Sequence, residues 1–194
     1  MKPFPRIETN RLILSSIRSV DIPHIVAHAS NRNVSRYTIS LAHPFTEIDA
    51  VHLIDMANEG FKMNTQYVFG IWLREGGILI GSIGLKLETQ FQRAELNFWI
   101  AEPFWGGGLT TEAAKAVIHF GFSNLGLHKI TATYMEANPA SGKVMANCGM
   151  KKEGELKAHI VKDGSYHGIV LYGLIKDDYA PAKCSREMSV LFFN

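Results

Sequence analysis

Three consecutive glycines between a strand pattern and a helix pattern constrain the fold of this chain more than any other feature. Residues 93–102 (RAELNFWIAE) have the length and composition of a strand, and a helical stripe of apolar residues begins at Leu109. Three successive glycines destabilise any regular element, because each loses more backbone freedom on folding than another residue would and supplies no side chain to pack. A strand, a turn of bare backbone and a helix start therefore follow one another here. The three glycines are Gly106, Gly107 and Gly108.

A glycine turn that opens a helix can bind an anion. The first amides of a helix have no intrahelical acceptor, and the positive end of the helix dipole lies behind them. Side chains larger than hydrogen would keep a phosphate away from these amides. A glycine-rich loop that simply turns tightly is the alternative. The candidate phosphate-binding groups are the backbone amides of Gly106, Gly107, Gly108, Leu109, Thr110 and Thr111.

Two familiar phosphate loops fit this sequence poorly. A P-loop requires a lysine and then a serine or threonine after its last glycine, but Leu109 follows here. A dinucleotide loop has the pattern Gly-x-Gly-x-x-Gly, and Thr111 stands where its third glycine belongs. That loop also usually opens its domain, whereas this one follows four predicted strands. A nucleotide-binding oxidoreductase is therefore kept only as an alternative.

The remaining sequence predicts a single mixed α/β domain. The chain has 194 residues, of which 46% are hydrophobic and 20% charged, so it can bury a core without disulfides. Periodicity predicts the order β-α-α-β-β-β-α-β-α-β-β, in which the fourth and fifth strands are parallel because a helix crosses between them. Apolar residues on both faces of the strands in residues 66–88 predict a sheet that is covered on at least part of each side. We assign residues 1–179 to the domain and 180–194 to a C-terminal tail that packs on the domain or on a partner.

Composition and spacing argue against several classes of ligand. The formal net charge is only +2, so the dense basic surface that nucleic acid requires is not expected. The N-terminus has no apolar run typical of a signal peptide, and no stretch of eighteen apolar residues predicts a membrane span, so we expect a cytoplasmic protein. His24 and His28 lack a third ligand nearby, and Cys148 and Cys184 lack zinc-site spacing, so no metal is expected. Cys148 is interpreted as a small core residue.

Four motifs follow one another along the chain: IETNRLIL, AELNFWI, FWGGGLTTEAAKAVIHFGF and NPASGKVMANCG. In this order they resemble the GCN5-related N-acetyltransferases (GNAT), most closely the branch that includes the ribosomal-protein N-terminal acetyltransferases, and the resemblance covers about residues 7–174. It implies a mixed, mostly antiparallel sheet flanked by helices, with a parallel and splayed pair of fourth and fifth strands. It also implies acetyl-CoA as cosubstrate and direct transfer of the acetyl group to a primary amine. The expected acceptor is a protein N-terminal α-amine.

The resemblance also assigns residues to coenzyme A. The family loop Arg/Gln-x-x-Gly-x-Gly/Ala binds the pyrophosphate through backbone amides, and its positions match Trp105, Gly108 and Thr110. Trp105 replaces the polar residue, and Thr110 replaces glycine or alanine. The splayed strands would leave backbone groups free to pair with the pantetheine arm, and an amide near Phe98 or Trp99 would polarise the thioester. The matching pantetheine residues are Phe98, Trp99, Ile100, Asn138 and Ser141.

Two side chains are candidates for proton transfer. An α-amine with a pKa of about 7.7–8 costs roughly 1 kcal/mol to deprotonate at pH 7, against roughly 4.6 kcal/mol for a lysine. A modest base therefore suffices, and Glu95 is the candidate, with an ordinary ion pair as the alternative. Ser141 is the candidate acid for the departing thiolate. Many relatives use a tyrosine four residues later, where this chain has Met145, so unaided departure stays open. Asn138 is also a good helix N-cap by itself.

Other functions and assembly states stay open at this point. The acceptor could be a small amine such as an antibiotic, a polyamine or an amino acid, and residues 22–65 are expected to select it. A noncatalytic acyl-CoA-binding protein would keep the glycine loop and dispense with Glu95 and Ser141. The sequence allows a monomer or a homodimer.

Overall fold

The computed structural model describes residues 3–180 and 189–192. The strands are β1 (Pro5–Glu8), β2 (Leu12–Ser16), β3 (Gln66–Leu73), β4 (Leu79–Glu88), β5 (Arg93–Ile100), β6 (Lys129–Met135), β7 (Lys151–Lys162), β8 (Ser165–Ile175) and β9 (Ser189–Phe192). The α-helices are α1 (Ile22–Ala29), α2 (Arg32–Ser35), α3 (Glu47–Lys62), α4 (Leu109–Ser123) and α5 (Pro139–Asn147).

Within the described residues, the strands form one nine-stranded sheet in the order β7-β8-β6-β5-β4-β3-β2-β1-β9. Of the neighbouring strands that the structure describes, only β5 and β6 are parallel, and α4 is the helix that crosses between them. The other neighbouring strands are antiparallel. The predicted fold class, a mixed and mostly antiparallel sheet with one parallel pair, is confirmed.

Two apolar clusters cover the two faces of this sheet, as the strand patterns predict. On one face, Val117 and Phe120 of α4 belong to the larger cluster, together with Phe69 of β3. On the opposite face, Ile25 of α1 and Ile54 of α3 belong to a second cluster. Because β5 lies in the middle of the sheet, it contributes to both clusters. Its carboxyl end is therefore fixed from both sides.

Among the strands and α-helices of the described residues, three are absent from the sequence prediction. β1 has only four residues and begins at a proline, and α2 is a single turn, so neither has a clear periodic pattern. β9 lies within the predicted tail and pairs antiparallel with β1, from Pro5↔Phe192 to Glu8↔Ser189. Cys184 and Phe193 lie outside the described residues. The division at residue 179 stays a prediction.

No α-helix in residues 3–180 or 189–192 combines the length and hydropathy that crossing a bilayer requires.

Candidate active site

A gap opens between β5 and β6 at their carboxyl ends. The two strands pair from Arg93↔Lys129 to Leu96↔Ala132 and no further. Beyond that point β5 continues along β4 as far as Ile100, while β6 continues along β8. The splayed parallel pair implied by the family resemblance is therefore present. In the part of the chain that the structure describes, this gap leaves one edge of β5 without a neighbouring strand.

The register of β5 decides which backbone groups face this gap. The amide of Ala101 donates to the Ile80 carbonyl of β4 at 2.8 Å. Because successive residues of a strand direct their backbone groups to opposite edges, Trp99 also faces β4, whereas Phe98 and Ile100 face the gap. The Trp105 indole Nε1–H donates to the Ile100 carbonyl at 2.8 Å, which is consistent with that direction.

The two tryptophans therefore have different local roles. The Trp99 side chain is buried in the cluster beneath α1 and α3, and it holds β5 against the helices. The Trp105 ring is 45% exposed, and its hydrogen bond ties the glycine loop to the end of β5. Contacts of either residue with a coenzyme stay a prediction.

The glycine loop presents open backbone in front of α4. Gly106 and Gly108 have φ angles of 77° and 75°, in the left-handed region that favours glycine, whereas Gly107 does not. A Cβ at Gly106 or Gly107 would meet no atom of the described residues within 4 Å. Gly108 is the N-cap of α4 and has no side chain to occupy the first amides of the helix.

The start of α4 leaves a set of amides available for an anion. The Glu112 amide donates to the Gly108 carbonyl at 3.0 Å, which is the hydrogen bond that opens the helix. The amides of Leu109, Thr110 and Thr111 precede it, and the positive end of the helix dipole lies behind them. The loop and the start of the helix thus leave these amides free among the described residues, and their binding of a phosphate stays a prediction.

The start of α5 forms another side of the gap, because this helix follows β6 directly. The Asn138 side chain accepts the Ser141 amide at 3.3 Å and donates through Nδ2 to the Tyr37 carbonyl at 3.2 Å. The predicted N-cap is confirmed, and Pro139 is the first helical residue. The Ser141 hydroxyl has no hydrogen-bond partner among the described residues, while Met145 is buried in the core.

Glu95 lies on β5 just before the strands separate. Its Oε1 accepts a hydrogen bond from Thr133 Oγ1 of β6 at 3.0 Å. Residues four apart in a strand project to the same face, so Glu95 shares the face of Trp99, which α1 and α3 cover. Residues 22–65, the predicted acceptor region, contain these helices.

Sequence reasoning missed Thr133 and Arg11. Thr133 of β6 donates a hydrogen bond to Glu95, the candidate base on β5. Arg11 donates a hydrogen bond to the Gly107 carbonyl, although the two residues lie 96 positions apart in the sequence. The only sequence signal for Arg11 is its place within the IETNRLIL motif.

Cys148 is buried at the C-terminal end of α5. Burial raises the pKa of the Cys148 thiol to about 12, and the positive charge of Lys115 opposes this rise. This supports the interpretation of Cys148 as a core residue. Among the described residues, no group of three or more His, Cys, Asp or Glu side chains is placed to hold a metal ion.

Comparison with known proteins identifies the family. The family model of the acetyltransferase (GNAT) domain matches residues 11–151. The chain is 32% identical over 174 residues to the uncharacterized N-acetyltransferase YoaA of Bacillus subtilis (strain 168), covering 89% of this chain and 98% of that protein. It is 30% identical over 132 residues to the [ribosomal protein uS5]-alanine N-acetyltransferase of Escherichia coli (strain K12), covering 67% and 68%.

Solved structures have the same fold. That of RimL, a ribosomal L7/L12 α-N-protein acetyltransferase in complex with coenzyme A, superposes with a TM-score of 0.79 at 16% identity, covering 88% of this chain and 97% of that one. The family match spans well over half of the chain and contains the glycine loop and both splayed strands. The chain therefore belongs to the GNAT family of acetyltransferases, and it is an N-acetyltransferase.

Proposed function

We propose that this protein transfers the acetyl group of acetyl-CoA directly to the α-amine of a protein N-terminus. The observation that carries the proposal is the coincidence of two features at the carboxyl end of β5. The strand edge opens there, and the glycine loop places free helix amides beside it. The Escherichia coli relative, named for acetylating an alanine of a ribosomal protein, supports a protein acceptor.

The residues available at this edge fit a long, partly extended thioester carrier. The amides from Gly106 to Thr111 bind its diphosphate, since they are free donors at the positive end of α4. The backbone groups of Phe98 and Ile100 pair with the pantetheine arm in place of a neighbouring strand. Asn138 and Ser141 border the same gap from α5. Acetyl-CoA itself supplies the activated acyl carbon.

The transfer then needs one new bond and two proton movements. The amine nitrogen attacks the thioester carbonyl carbon, the C–N bond forms, and the C–S bond breaks with the electron pair leaving on sulfur. The Phe98 amide donates to the carbonyl oxygen as negative charge develops there. Glu95 accepts the amine proton, directly or through a water, and Ser141 donates a proton to the thiolate and recovers one from solvent.

The position of Glu95 also supports an acceptor that enters from the α1 and α3 side. Its carboxylate is partly buried and lies on the sheet face that these helices cover. The glycine loop precedes α4, which packs on the opposite face. Amine and coenzyme would thus approach the gap from different sides, as direct transfer requires.

A thermal-shift comparison tests the coenzyme assignment. Acetyl-CoA at a hundredfold excess over its Kd should stabilise the protein by about 2.7 kcal/mol, and NAD should have no effect. Gly108→Glu places a carboxylate where the diphosphate binds, so it should abolish the shift. Gly126→Glu is the matched control, because it adds the same charge at a glycine with a similar φ angle of 68°, beyond the opposite end of α4, where a Cβ meets no atom of the described residues within 4 Å. An equal shift with NAD would overturn the assignment.

Mass spectrometry after incubation with isotope-labelled acetyl-CoA tests the acceptor. Peptides with a free N-terminus should gain one acetyl group there, and the same peptides with a blocked N-terminus should gain none. Spermidine, free amino acids and an aminoglycoside form the small-amine set. Labelling of these small amines alone would show that the acceptor is a small amine and not a protein N-terminus. Coenzyme binding without labelling of any amine would indicate a noncatalytic binding protein.

A further inference from the structure

One arginine connects the glycine loop to the first turn of α4. Arg11 Nη1–H donates to the Gly107 carbonyl at 2.9 Å, and Nε–H donates to Glu112 Oε2 at 2.7 Å. Its backbone amide donates to the other Glu112 oxygen at 2.9 Å. Arg11 comes from the turn before β2, so a remote part of the chain holds both loop and helix.

Glu112 is a firm anchor for this guanidinium. Thr9 Oγ1–H donates to Glu112 Oε1 at 2.7 Å, and the carboxylate is only 13% exposed. Burial by itself raises the pKa of Glu112, but the hydrogen bonds from Thr9 and Arg11 and the arginine charge together lower it below its usual range. The carboxylate is therefore ionised at neutral pH and keeps the arginine in place.

The contact with the Gly107 carbonyl sets the direction of one amide. In a trans peptide the C=O and N–H groups point in opposite directions. Donation from Arg11 draws the Gly107 oxygen toward the guanidinium, so the Gly108 N–H is directed away from it. Glycine backbone adopts many conformations, and a released peptide could turn and present its oxygen to an anion.

We propose that Arg11 is a positioning residue for coenzyme binding, which fixes the Gly107–Gly108 peptide so that the Gly108 amide meets the diphosphate. This inference depends on the proposed use of acetyl-CoA at the glycine loop. It goes beyond the proposed function because it predicts that a side chain outside the loop contributes to the affinity for the coenzyme. The arginine acts through the loop and touches no reacting atom.

Calorimetric titration of the full chain with three probes tests this role. Coenzyme A carries a diphosphate and a 3′-phosphate, dephospho-coenzyme A keeps only the diphosphate, and pantetheine has neither. Arg11→Met should weaken binding of the first two by the same factor, about 10- to 150-fold for a lost hydrogen bond to a charged group. Pantetheine should bind within about twofold of wild type, because it does not reach the loop amides.

Two further variants separate geometry from charge. Arg6→Met removes the same charge from an ion pair with Glu8 within β1, and it should bind all three probes like wild type. Arg11→Lys keeps the charge, but a single ammonium cannot reproduce the planar fork between Gly107 and Glu112. We therefore expect Arg11→Lys to weaken the binding of coenzyme A and dephospho-coenzyme A nearly as much as Arg11→Met does.

The opposing outcomes are distinct. A loss confined to coenzyme A would assign Arg11 to the 3′-phosphate, and an equal loss for all three probes would indicate general damage to the fold. If Arg11→Lys binds coenzyme A and dephospho-coenzyme A as tightly as wild type, the loss in Arg11→Met is due to the missing charge alone. Each of these results overturns the positioning role while leaving the proposed function intact. Wild-type protein that binds pantetheine as tightly as coenzyme A would overturn the diphosphate site itself, and the role of Arg11 with it.

Discussion

Thr133 holds one oxygen of the Glu95 carboxylate, while the other has no hydrogen-bond partner among the described residues. A carboxylate fixed at one oxygen keeps its second oxygen oriented and able to accept a proton. The hydrogen bond also comes from the strand across the opening, so Glu95 is positioned by the same two strands that form the gap. These contacts support Glu95 as the base.

Replacing Glu95 by glutamine should lower turnover most at low pH. The amide keeps the shape of the side chain but cannot accept a proton. An α-amine with a pKa of about 7.7–8 is mostly protonated at about pH 6 and needs the base most there. We expect a loss of about 100-fold or more under these conditions, narrowing above about pH 9.

Steady-state rates across pH measure this effect, with the Kd for coenzyme A as the internal reference. That Kd should stay within about twofold of wild type, since the proposed diphosphate site does not include Glu95. Thr133→Val, which removes only the supporting hydrogen bond, should cause a smaller loss. Identical rates for wild type and Glu95→Gln at every pH would remove Glu95 from the mechanism.

Cys148 should be unreactive in the native protein. Its pKa of about 12 leaves almost no thiolate at neutral pH, because burial favours the uncharged thiol. A Cys184→Ser variant isolates this thiol for titration with a chromogenic disulfide reagent. We expect modification only after denaturation. Rapid reaction of the folded variant would contradict the burial of Cys148 and its interpretation as a core residue.

At the scale of elements, the opening between β5 and β6 depends on the close fit of β5 to β4. A Cβ at Gly81 of β4 would overlap the Trp99 carbonyl oxygen and lie 2.9 Å from Ile100 Cα. Only hydrogen fits there. The carboxyl end of β5 is therefore fixed by its backbone contact with β4 while its other edge stays open.

Gly81→Ala should destabilise the protein and weaken coenzyme binding together. Overpacking a fixed backbone contact costs about 1–3 kcal/mol, and relief of the clash displaces the segment that carries Phe98 and Ile100. Gly154→Ala in β7 is the control, since its Cβ meets nothing within 4 Å. Urea denaturation gives the stability, and calorimetry gives the affinity. Equal effects of the two variants would show that the fit between β4 and β5 does not matter.

Sequence patterns predict those elements whose signals are local. Asn138 and Pro139 adjoin in the chain, so the cap of α5 can be predicted, and the strand, glycine and helix succession predicts the start of α4. The direction of the Phe98 and Trp99 backbones cannot be predicted in this way, because it depends on the register of β5 against β4. The contact of Arg11 with the glycine loop joins residues 96 apart, and no periodicity reveals it.

At the scale of the whole molecule, the two ends of the chain meet in the sheet. β9 pairs with β1, and Val190 lies opposite Ile7, which is fully buried. Val190 packs against the larger core cluster, whereas Leu191 is exposed on the other face. The C-terminal strand thus covers the edge of β1, which precedes the turn that carries Arg11.

Val190→Asp should release this edge, because a carboxylate cannot stay against the apolar core. We expect a loss of about 1–2 kcal/mol for the displaced valine and faster amide hydrogen exchange in β1. Leu191→Asp introduces the same charge one residue later on the exposed face, so it should leave both quantities near wild type. An unpaired edge strand can also pair with another copy, so light scattering should show concentration-dependent association for Val190→Asp alone. Identical exchange rates in the two variants would mean that β9 does not protect β1 in solution.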